Sequence, residues 1–197
     1  MQRKLYELVI NEELDNELEV SCVSGVDRPA IERGFLAFNE SNTPMQFVEV
    51  NEDERILVGP AMIPNTPIRR IDEATGEEYD VFFSKDTIEK IAVKFFAKGF
   101  QNNFNLMHDP NLKMDGVVFF QSFIKDSNKG IEGMTGDYID GTWFLGAKVY
   151  NDEVWAKVKS GEIKGWSVEG IFGYKAMPMP IEQQQYDAIL KIISELN

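Results

Sequence analysis

Residues 163–173 read Ile163-Lys164-Gly165-Trp166-Ser167-Val168-Glu169-Gly170-Ile171-Phe172-Gly173. Apolar and small polar residues alternate along this run, and glycines punctuate it at 165, 170 and 173. Alternation with a period of two is the mark of a β-strand, whose successive side chains point to opposite faces. Ser167 and Glu169 are therefore expected on one face, and Trp166 and Val168 on the other. Glycines in a strand leave room for another backbone to approach, here a substrate peptide. A plainer reading puts the serine on a solvated barrel face with the glycines as bends. On this motif alone the plainer reading is preferred. Gly-x-Ser-x-x-Gly is a weak pattern, and it lacks the strand-to-helix turn of a nucleophile elbow.

Other short β-like runs surround this one in the sequence, separated by Gly, Pro and Asn. They are Leu5–Ile10, Leu18–Val23, Phe35–Phe38, Ile56–Ile63, Tyr79–Phe83, Phe104–His108, Val117–Ile124 and Thr142–Tyr150. Pro60 interrupts its run and calls for an edge, a bulge or a break there. Many short strands with turn signals between them predict a barrel or sandwich. Two helices interrupt the β pattern. Ser84 caps one over Lys85–Lys98, where Ile88, Ile91, Ala92, Phe95 and Phe96 form an apolar stripe and Gly99 ends it. Asn151 caps a shorter one over Asp152–Ser160, ended by Gly161. The fold class is thus α+β and β-rich, with one domain over residues 1–177. Residues 178–197 are expected to add a C-terminal helix after Pro178 and Pro180.

Charge and composition exclude several functions. The 197 residues carry 20 Lys+Arg against 33 Asp+Glu, a formal net charge of −13. That sign opposes binding to phosphates, so nucleic acid is not an expected partner. One His and one Cys, His108 and Cys22, fall short of the ~4 ligands of a structural zinc site. A single Cys also forbids an internal disulfide. No apolar run approaches the ~18 residues of a membrane helix, and the N-terminus has no signal-peptide pattern. The expectation is a soluble protein that stays where it is made, with no membrane partner and no cofactor. Asp126–Glu132 alternates oxygen-bearing side chains, but it lacks the glycine and glutamate of a calcium loop and reads as a surface turn.

Any imidazole chemistry within one subunit must pass through His108. As part of a strand, it would share a face with Phe104 and Leu106, at the mouth of an apolar surface. A neutral imidazole there can act as general base towards a hydroxyl. A ring simply hydrogen-bonded to backbone fits the same pattern. Cys22, between Val20-Ser21 and Val23, sits in a buried-strand context where a thiol is inert. Ser167 is the better nucleophile to consider.

Several segments carry a family resemblance. They include Val58-Gly59-Pro60-Ala61-Met62-Ile63-Pro64-Asn65-Thr66-Pro67-Ile68, Phe82–Ile91, Gln101–Asp109, Gly141-Thr142-Trp143, Asn151–Trp155 and Gly161–Gly170. Val26–Ile31 with Gly34-Phe35 belongs to the same set. In matching order, from about residue 5 to 175, the chain resembles the XkdF-like phage serine proteases, relatives of the prohead maturation proteases. The resemblance implies an assemblin-like β-barrel flanked by helices. It also implies a serine endopeptidase that cleaves scaffold and major capsid protein extensions, and itself, inside the assembling prohead in the host cytoplasm. At the matching positions Ser167 becomes the nucleophile and His108 the general base.

Assemblin-type enzymes use a second histidine as third member, and this chain has none, so a carboxylate must serve. Glu19 is one candidate. Leu18-Glu19-Val20-Ser21 followed by Pro29-Ala30 resembles a segment that follows the serine in other prohead proteases, which would make this chain circularly permuted. Glu169 is the other, two residues from Ser167, with Asp109 ranked behind both. The acidic surface reads first as solvated, and second as a dock for basic capsid or scaffold segments. The competing function is a non-catalytic β-barrel protein of capsid assembly that shares the fold.

Overall fold

A computed structural model describes residues 3–27, 47, 49–51, 54–132 and 138–177. Three four-stranded sheets organise them. The sheet that carries the site is built on β2 (Glu19–Val26), which has β11 (Gly165–Ile171) antiparallel on one side and β7 (Phe104–Leu106) parallel on the other. β8 (Asp109–Lys113) closes that sheet against β7. A wholly antiparallel sheet has the order β3 (Glu49–Asn51), β4 (Ile56–Met62), β10 (Trp143–Val149), β9 (Val117–Ile124). The third runs β12 (Gly173–Ala176), β1 (Lys4–Val9), β6 (Glu78–Phe82), β5 (Ile68–Ile71), with β1 and β6 parallel.

The expected β-rich class holds, but the expected closed barrel does not. Among the described residues the strands form three open sheets. Pro60 is accommodated within β4 beside a register shift, where Met62 pairs with Trp143 and Pro60 with Phe144. The short β3 reaches only Ile56–Val58, so β4 has no β3 partner at its proline. The strand expected at Phe35–Phe38, the Pro29-Ala30 pair and the C-terminal helix after Pro178 lie outside the described residues.

Both helices follow their sequence signals. α1 (Lys85–Ala97) starts where Ser84 Oγ accepts from the Thr87 N–H at 3.2 Å, and Gly99 adopts φ 75° just beyond its end. Its buried face, Ile88, Ile91, Ala92 and Phe95, joins the core beside β2 and β10. α2 (Asp152–Lys159) is capped by Asn151 Oδ1, which accepts from the Val154 N–H at 3.0 Å. Aromatic edges knit the sheets together at the centre. Trp166 of β11 meets Phe104 of β7 and Phe119 of β9 edge-on, and its indole N–H donates to the Leu145 carbonyl of β10. Trp166 thus spans two sheets while the next residue, Ser167, faces the other way.

Candidate active site

Ser167 stands opposite Ser24 in the β2–β11 register, and Glu169 stands opposite Cys22. Strand alternation therefore brings Cys22, Ser24, Ser167 and Glu169 to one face. Gly170 has a different use from the one its sequence context suggested. A Cβ there would collide with the Glu19 carbonyl oxygen, so the glycine admits the chain's own β2 at a register shift.

His108 does not lie in a strand. β7 ends at Leu106 and β8 begins at Asp109, leaving Met107 and His108 as a two-residue hairpin tip with φ 52° and 58°. Two successive left-handed residues match the type I′ turn, whose twist suits tight hairpins. The expected sharing of a face with Phe104 and Leu106 therefore fails, because the turn re-aims the imidazole. The tip is held by β2. The Met107 N–H donates to the Gly25 carbonyl and the His108 N–H to Ser24 Oγ, both at 3.1 Å. No Asn-Gly or Asp-Gly pair advertises this turn in the sequence.

The imidazole Nδ1 lies 3.1 Å from Glu169 Oε1. That oxygen also accepts from Ser24 Oγ and from Asn105 Nδ2, each at 2.7 Å. Burial pushes the Glu169 carboxyl upward, but the Ser24 and Asn105 hydrogen bonds and the adjacent His108 outweigh it and hold the group below its usual range. An ionised carboxylate only accepts, so a neutral ring in this contact carries its proton on Nδ1 and its lone pair on Nε2. His108, Ser167 and Glu169 line one cavity of about 590 Å³, with apolar walls that include Leu8, Ile68, Phe83 and Phe172, and with Arg70 among its lining residues. No hydrogen bond joins Ser167 Oγ to the ring among the described residues.

The two candidate carboxylates have different partners. Glu169 meets the imidazole, whereas Glu19, at the start of β2, is taken by Lys98 at 2.5 Å and Lys94 at 3.7 Å. Cys22 is half-buried in β2 rather than fully buried. Burial first, and then the Glu169 charge, pushes its thiol up to about 11. Sequence reasoning missed Ser24 and Asn105. Their signal was present, since each is a polar residue inside an apolar strand run, and buried polar groups need partners.

Residues 45–174 match the model of a family described as putative phage serine protease XkdF. That is well over half of the chain. The chain belongs to that family. The matched stretch contains His108, Ser167 and Glu169, and the XkdF description points to a hydrolase of the serine-protease kind. No curated protein and no solved structure matches the chain.

Proposed function

We propose that this XkdF-family chain is a phage maturation endopeptidase whose nucleophile is Ser167, whose general base is His108 and whose orienting acid is Glu169. The contact between His108 Nδ1 and Glu169 Oε1, beside a cavity that Ser167 also lines, carries this reading. Glu169 holds the ring so that Nε2 can take the Ser167 proton as Oγ attacks a peptide carbonyl. The C–N bond of the resulting tetrahedral adduct breaks, and the imidazolium passes the proton to the leaving amine. Water, deprotonated by the same nitrogen, then releases the acyl group from Oγ. Hydrogen bonds of this kind commonly tighten only when substrate is bound, which accommodates the unjoined Ser167 and His108.

The substrates proposed are scaffold and capsid-protein extensions, with the chain itself as a further one, cleaved inside the assembling shell. The pairing of an early strand carrying Glu19-Val20-Ser21 with the Ser167 strand supports a circularly permuted relation to other prohead proteases. Co-expression with scaffold and capsid protein tests the reading. Ser167→Ala and His108→Ala should each lower processing by about a thousandfold or more. Wild-type processing in either variant would return the chain to the non-catalytic, assembly-protein reading. So would the lack of a covalent adduct at Ser167 with a serine-directed phosphonate.

A further inference from the structure

We propose that Ser24 and Asn105 are positioning residues that clamp the Glu169 carboxylate and, through it, set the tautomer and aim of the His108 ring. The inference rests on the catalytic roles proposed above for Glu169 and His108. Ser24 and Asn105 are 0% and 4% exposed, and they are register partners on the parallel strands β2 and β7. Two buried polar side chains on adjacent central strands demand partners, and the partner they share is Glu169 Oε1.

Their roles differ chemically. Asn105 turns its amide nitrogen to the carboxylate, the only orientation an acceptor-only oxygen allows, so it is a constant donor. Its carbonyl oxygen is thereby directed at Ser24 Oγ. The Ser24 hydroxyl has one proton for two acceptors, Glu169 Oε1 and Asn105 Oδ1. Its lone pair accepts the His108 backbone N–H. One side chain therefore fixes both the acid and the turn that carries the base. Among the described residues, the titratable groups facing Glu169 are His108 from the hairpin tip and Cys22 from β2. Lys113 of β8 acts on that thiol, and Arg70 of β5 lines the same cavity.

Because the chain has a single histidine, its imidazole nitrogens give unambiguous NMR signals in the intact protein. In the wild type, the Nδ1–H tautomer should dominate the neutral ring. Ser24→Ala, and independently the near-isosteric Asn105→Leu, which removes the donor without adding a charge, should shift that population towards Nε2–H. They should also move to higher pH the acidic inflection that His108 senses from Glu169. Processing should fall by at least ~10-fold, part of the ~10²–10⁴-fold contribution of a general base. Asn105→Leu decides alone if Ser24→Ala does not fold. An unchanged tautomer and an unchanged acidic inflection in a folded variant overturn the clamp, whatever the activity. If Ser167→Ala keeps processing while these NMR changes occur, the clamp stands and the protease reading falls.

Discussion

Glu169 concentrates three contacts on one oxygen: Ser24, Asn105 and the Nδ1 of His108. Such an arrangement favours the ionised acid, and its effect on stability has a definite sign. The folded-state pKa lies below the ordinary carboxylate value, so the stabilisation is fully present above that value. It is lost as pH falls through the depressed folded value, because protonation then removes the negative charge on which the three contacts converge. Thermal melts of wild type and Glu169→Gln from neutral to acid pH should therefore converge as the medium becomes acidic. A stability gap that widens towards acid would contradict this account of the residue. The neighbouring thiol is tied to the same charge, since Glu169 helps to raise Cys22.

At the scale of elements, α1 contributes more than its apolar stripe. Lys94, only 2% exposed, sits on the helix face that meets the start of the chain. Its ammonium donates to the carbonyls of Asn11 and Asn16, both at 2.8 Å, and to that of Leu18 at 3.3 Å. Lys94→Met keeps the volume and removes all three donors, leaving shielded carbonyls without them. The expected cost is about 3 kcal/mol, read as a lower midpoint in urea at unchanged slope. A shift below ~0.5 kcal/mol would mean that water replaces the ammonium. Helices were the most legible part of the sequence, because a cap, an apolar stripe and a terminal glycine are local signals. The strands at Ile68–Ile71, Asp109–Lys113 and Gly173–Ala176 were not legible. Mostly exposed, and without an alternating apolar face, they are edge strands recruited by the partners they pair with.

In the molecule as a whole, Trp166 is the joint between the site sheet and the wholly antiparallel sheet. Trp166→Ala should remove about 3–5 kcal/mol, measured by denaturant unfolding, with secondary and tertiary signals lost together. Separate transitions would show that the sheets are not one cooperative unit. Ser167 and Glu169 could be assigned to one face from alternation alone, because strand periodicity is a local property. The aim of His108 could not, because a two-residue turn and its hydrogen bond to Ser24 depend on a strand far away in the chain. Closure of the barrel was illegible for the same reason, since sheet edges are decided by pairing rather than by propensity. That remoteness has a temporal consequence. The bond from Ser24 to Glu169 links residues 145 positions apart, and that from Lys175 to Glu7 links residues 168 apart. Contacts this distant form slowly and late. On the ribosome, β2 and the hairpin tip emerge long before β11 can join them. The cluster is therefore incomplete throughout most of translation, and a half-made chain lacks the arrangement on which the proposed cleavage depends.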